Sequence, residues 1–153
     1  AEVYKRRIVR WPGRVKPGVL EDEPVVSMDF YPTFLEVAGL EPTTGKPLDG
    51  ESLVSLFQQT GKPRREALFF HFPNYAWHMD NRLCGAVRAG NHKLIRNYDD
   101  GSVELYNLKS DLGETKNLAK RQPEIAARLN RKLGQWLADN GARMSKPPKP
   151  KGI

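Results

Sequence analysis

The chain has 153 residues, with 25 lysines and arginines against 18 aspartates and glutamates, three histidines, one cysteine, 13 glycines and 12 prolines. That length suits one domain, or one small core with long flanking arms, and a single cysteine excludes an intramolecular disulfide framework and any multi-thiolate metal site. No apolar run approaches the roughly 18 residues of a membrane span.

The surplus of base is unevenly spread. Residues 1–20 carry six bases and one acid, residues 21–60 one base and eight acids, and residues 101–153 eleven bases and five acids. That pattern fits pairing within the chain or an anionic ligand. It does not point to nucleic acid, because no long basic stretch is interleaved with aromatic residues.

Residues 1–24 read as extended, with Ile8-Val9 as a short strand and turns at Trp11-Pro12-Gly13 and Lys16-Pro17-Gly18. A first helix is predicted to open near Asp29, whose carboxylate is expected to cap the first-turn amides. Pro32 is tolerated that early, Phe30, Phe34, Val37 and Ala38 recur at helical spacing, and Gly39 supplies a stop. After a loop at 42–50, residues 51–59 predict a second short helix with Leu53, Leu56 and Phe57 on one side, ended by Gly61.

The middle of the chain changes period. Strands are predicted at 67–71, 83–89, 92–98 and 103–107, the last three joined by Gly90-Asn91 and by Asp99-Asp100-Gly101-Ser102. Both connections carry turn chemistry, so these three form an antiparallel meander, which the first strand extends to four. Pro123 then opens a long helix whose stripe of Ile125, Leu129, Leu133, Trp136 and Leu137 needs a sheet to cover it, and Gly141 follows its end. The expected fold is therefore α+β: an antiparallel sheet of about four strands packed on a long C-terminal helix, preceded by two helices. Residues 142–153, with Lys146-Pro147-Pro148-Lys149-Pro150-Lys151, are expected to form a disordered basic tail.

Few constellations carry chemistry. There is no phosphate-binding glycine loop and no carboxylate cluster for a hard cation, and Asp99-Asp100 with Glu104 reads as a solvated hairpin tip. His71, His78, His92 and Cys84 match no zinc spacing, so no metal site is expected. Cys84 on an apolar strand reads as packing, not as half of a Cys-His nucleophile. The richest stretch follows the first strand, where Pro73 turns the chain off the sheet edge. His71, Asn74, Tyr75, Trp77 and His78 there offer imidazole, amide, phenol and indole groups within eight residues. Such a mix suits a polyhydroxylated anionic ligand, and equally a loop whose Tyr75 and Trp77 pack on the sheet.

Five stretches together resemble the arylsulfatase-type sulfatases. Arg10-Trp11-Pro12-Gly13 with Pro17-Gly18 looks like their "RWPG…PG", and Ser27 to Leu35 ending in Ala38-Gly39 is similar to "S-x-D-x-x-P-T-x-L…AG". Leu48 to Leu53 resembles "LDGxSL", Ala86 to Ile95 "AIRxGxxKLI", and Glu104 to Ala119 "ELYNLxxDxGExxNLA". They fall in the family's order over about residues 8–140. Residues 1–7 depart from it, having Val3-Tyr4-Lys5-Arg6-Arg7 where the family has "GGxRxP".

The resemblance implies the C-terminal part of a sulfuric ester hydrolase of alkaline-phosphatase-like fold. Residues 1–62 would be the tail end of the large α/β domain, 63–141 the sheet-and-helix subdomain, and 142–153 the tail. It also implies a calcium ion and a formylglycine nucleophile in the full-length enzyme, neither within this segment, and a product exported from the cytoplasm. Cys84-Gly85-Ala86-Val87-Arg88 formally reads as the maturation motif Cys-x-Ala-x-Arg, but the same residues are the strand entering the fourth stretch, so no catalytic residue is assigned. His71 and Asn74 match, by position, residues lining the cleft mouth in some carbohydrate sulfatases. The chain is thus expected to complete a cleft for a sulfated small molecule or carbohydrate and to be inactive alone. The alternative is a non-catalytic module binding anionic polysaccharide. Apolar surface left on the first two helices implies self-association.

Overall fold

The computed structural model describes residues 8–41, 45, 48–74 and 82–144. The predicted tail beyond residue 144 and the departure at 1–7 lie outside them. The chain divides into two compact units, Glu2–Arg65 and Glu66–Ile153.

The first unit holds a 3-10 turn at Ser27–Asp29, helix α1 (Phe30–Val37) and the single turn α2 (Val54–Phe57). Ile8-Val9 forms no strand: Ile8 is 96% exposed, and an apolar pair without a partner strand has no ladder to join. α1 stops as expected, with Gly39 at φ +67° and the Leu40 amide donating to the Leu35 carbonyl (2.9 Å).

Its inward face is polar. The buried residues are Asp29 and Thr33, whereas Phe34, Val37 and Ala38 are exposed and Phe30 stacks on Phe34 at 6.1 Å. Asp29 does not cap α1. Its carboxylate accepts the Val26 amide (2.8 Å), the Glu51 amide (3.1 Å) and both Nη groups of Arg65, whose Nη2 also reaches the Pro24 carbonyl. The Thr33 hydroxyl donates to the Asp29 carbonyl and accepts the Leu53 amide (2.9 Å).

α2 is shorter than the predicted 51–59: regular helix begins only at Val54, and the amides of Glu51 and Leu53 ahead of it donate to Asp29 of the 3-10 turn and Thr33 of α1. The left-handed residue that ends it is Gln59 (φ +58°), not Gly61. Gly50 seats the two segments together: a Cβ there would lie 2.1 Å from the Met28 carbonyl oxygen, so the backbones touch only at glycine.

The second unit is a four-stranded antiparallel sheet in sequence order: β1 (Leu68–Phe72), β2 (Cys84–Ala89), β3 (His92–Asn97) and β4 (Val103–Asn107). Phe69 faces Val87, Val87 faces Leu94, and Leu94 faces Leu105, which lines up one apolar row across all four strands. Helix α3 (Pro123–Asp139) covers that row with Ala126, Leu129, Leu133 and Leu137, while Ile125 and Trp136 pack at the margin and Trp136 stacks on Phe69 at 5.0 Å. The α+β architecture read from the sequence is the one observed.

The outer edge of β4 is closed by the segment that follows it. Asn117 Oδ1 accepts the Leu105 amide (3.1 Å), and the Leu118 amide donates to the Leu105 carbonyl (2.7 Å). Asp111 holds the bend by accepting the Thr115 and Lys116 amides, and Glu114 at φ +55° pairs with Lys93 (2.8 Å). Among the described residues no helix is long and apolar enough to cross a membrane.

Candidate functional site

β1 ends at Phe72 because Pro73 has no amide for the ladder, and the chain leaves the sheet there. Strand alternation puts Phe69 and His71 on the face that α3 covers, with His71 opposite Gly85. The ring of His71 is engaged at both nitrogens: Nδ1 lies 2.8 Å from the Tyr98 hydroxyl and Nε2 lies 2.9 Å from the Arg143 carbonyl oxygen. The two rings meet edge to face at 5.5 Å. Burial pushes the Tyr98 phenol up, so its proton stays on.

Asn74, three residues on, is exposed. Tyr75, Trp77 and His78 lie outside the described residues. The sequence singles out His71 but not its neighbours in the fold, Tyr98, Gly85 and Arg143. Gly85 carried a signal, since a glycine inside a strand often marks a close approach. A Cβ there would stand 2.2 Å from the Tyr98 hydroxyl oxygen.

The other candidates separate. Cys84 adjoins Gly85 on β2, so alternation turns its thiol to the face away from His71, and burial pushes that thiol up into its unreactive protonated form. His92 sits on the row of Ala89 and Asn107, four rows from His71. The acidic hairpin is satisfied internally. Asp100 accepts the Ser102 amide (2.9 Å) and pairs with Arg82 (2.7 Å), and hydrogen bonds from Ser102 and then Arg82 hold its carboxyl far below the usual range. Glu104 accepts from Tyr106 (2.6 Å) and Asn97 (3.1 Å), and burial together with Glu104 pushes the Tyr106 phenol well up. Among the described residues no three His, Cys, Asp or Glu side chains converge to hold a metal ion.

The chain as a whole resembles known proteins. Residues 4–139 match the family model of the N-sulphoglucosamine sulphohydrolase C-terminal region. A sulfatase of Formosa agariphila is 36% identical over 149 residues, covering 88% of this chain and 27% of the relative. An N-acetylglucosamine-6-O-sulfatase of Bacteroides thetaiotaomicron is 32% identical, covering 84% and 25%. A solved protein in complex with its substrate D-glucosamine-2-N,6-O-disulfate superimposes with a TM-score of 0.61 at 26% identity, covering 80% of this chain and 25% of that one. The chain thus spans about a quarter of the length of the relatives it matches.

Proposed function

This chain belongs to the sulfatases, as a member of the N-sulphoglucosamine sulphohydrolase C-terminal family, and on that premise we propose that it forms the substrate-recognition side of a sulfuric ester hydrolase acting on a sulfated sugar. The stretch that leaves β1 beyond His71, Asn74 and on through Tyr75, Trp77 and His78, meets the sugar, while the formylglycine and calcium chemistry belongs to a part of the enzyme outside these residues. One observation carries the reading: β1, an edge strand, ends at Phe72 and brings the chain to Asn74 at the margin of a fold shared with a protein solved on a glucosamine disulfate. Support for the division of labour comes from the span of the match, about a quarter of the Formosa and Bacteroides relatives.

The test is an NMR titration of the 153-residue chain with D-glucosamine-2-N,6-O-disulfate. Saturable shifts confined to the loop, absent with unsulfated glucosamine and lost in Asn74→Ala and Trp77→Ala, are expected. Equal response to both sugars would refute it.

Phe34, Val37 and Leu40 are 66%, 48% and 59% exposed, which supports self-association of the chain in isolation. Sedimentation velocity should show an apparent mass that falls on dilution and a smaller shift in Phe34→Asp. A constant monomer mass at all concentrations counts against it.

A further inference from the structure

We infer that Tyr98 is a positioning residue for the recognition loop: together with the Arg143 carbonyl it clamps the His71 imidazole in one tautomer where β1 turns out toward Asn74. The inference rests on the reading that this loop meets a sulfated sugar, and it adds what fixes the loop's root.

A carbonyl oxygen only accepts, so the 2.9 Å approach of His71 Nε2 to the Arg143 carbonyl places the ring proton on Nε2. The neutral ring then keeps a lone pair on Nδ1, and the Tyr98 hydroxyl, 2.8 Å away, donates into it. Both nitrogens are thereby committed, and the ring can neither flip nor exchange tautomers without breaking a bond. Gly85 is part of the device. Only the absence of a Cβ lets the Tyr98 hydroxyl lie over β2, and Leu133 closes the same spot from α3, with Cδ2 3.4 Å from where that Cβ would be. Three separate stretches of chain therefore meet at one side chain: β1 through His71, the end of β3 through Tyr98, and the segment after α3 through Arg143.

The arrangement divides the labour within the loop. His71 has no ring nitrogen to offer a ligand unless it surrenders an internal bond, so direct contact begins beyond Pro73, at Asn74. Tyr98 acts at one remove, by holding the strand end from which Asn74 projects. Loss of the phenol hydroxyl leaves the apolar row under α3 intact and loosens only the loop's departure.

The test uses the 153-residue chain labelled with 15N-histidine, in wild-type, Tyr98→Phe and Gly85→Ala forms, read by long-range 15N–1H correlation and titrated with D-glucosamine-2-N,6-O-disulfate. The wild-type His71 ring is expected to be protonated at Nε2 with a hydrogen-bonded, unprotonated Nδ1. Tyr98→Phe should move the Nδ1 resonance toward that of a free lone pair, leave Nε2 in place and weaken the sugar by about tenfold, the worth of one buried hydrogen bond. Gly85→Ala, which displaces the hydroxyl without deleting it, should move Nδ1 the same way. An Nδ1-protonated ring in the wild type, an Nδ1 resonance indifferent to Tyr98→Phe, or unchanged affinity in a variant whose Nδ1 has moved would each overturn the inference. A wild type that binds no sugar refutes the loop's role and the positioning with it, while the ring spectra still decide separately whether the clamp exists.

Discussion

Replacing Asp29 by alanine is expected to destabilise the first unit by about 3–5 kcal/mol, the range for removing one partner of a buried ion pair. Asp29 is 0% exposed and the Arg65 side chain 14%, so the variant leaves a guanidinium with little access to water and without its hydrogen-bonded counter-charge. It also orphans the amides of Val26 and Glu51, each of which donates to the lost carboxylate. Arginine at this place cannot escape by losing its proton, which is why the cost exceeds that of an exposed pair. Urea unfolding followed by far-UV circular dichroism checks it, and a loss under about 1 kcal/mol would contradict the pairing.

The same residue gives the chain an acid limit. Burial alone would raise the Asp29 carboxyl, but the hydrogen bond from Arg65 and the amides of Val26 and Glu51 outweigh it and hold the group below its ordinary value. A carboxyl depressed in the folded state contributes stability that is fully present above its unfolded pKa, about 3.9, and is lost as pH falls through the lower folded one. Unfolding midpoints should thus be level above about pH 5 and fall below about pH 4, and Asp29→Asn should flatten part of that fall.

Leu133→Ala should cost the second unit about 2–5 kcal/mol, because the deleted atoms leave a cavity that rigid strands cannot fill. Leu133 is 0% exposed, packed with Val87, Leu94, Leu105 and Leu129 where α3 crosses the sheet. Leu112→Ala is the control: at 56% exposure in the same unit, it should change stability by no more than about 0.5 kcal/mol. Equal effects at the two sites would mean that the face of α3 has been misassigned.

That helix face was legible in the sequence because it depends on spacing alone. Leu129, Leu133 and Leu137 repeat at four, and the strands announce themselves by Gly90-Asn91 and Asp99-Asp100-Gly101-Ser102 between apolar runs. What spacing cannot give is a partner far away in the chain. Asp29 at the start of a helix looks like a cap, and only the folded backbone brings Arg65, 36 residues on, to its carboxylate. The same holds for His71, which reads as a ligand-facing residue until Tyr98 and Arg143, 27 and 72 residues away, arrive at its ring.

The stretches that carry the family likeness are mostly scaffolding. Asp29 and Thr33 of the second stretch bind the backbone of the third, where Gly50 permits the contact. Lys93 of the fourth pairs with Glu114 of the fifth, and Asn117 of the fifth closes the β4 edge. Their chemistry explains why such residue types recur together. It assigns none of them to the sugar.

Sulfate release is the measurement that bears most directly on the central claim of a recognition segment separate from the reactive centre. The 153-residue chain, supplied with calcium and exposed to a formylglycine-generating enzyme, should release no sulfate from D-glucosamine-2-N,6-O-disulfate while still showing loop shifts on titration with that sugar. Turnover that disappears in Cys84→Ala would contradict the account, because the chain would then carry its own nucleophile on β2.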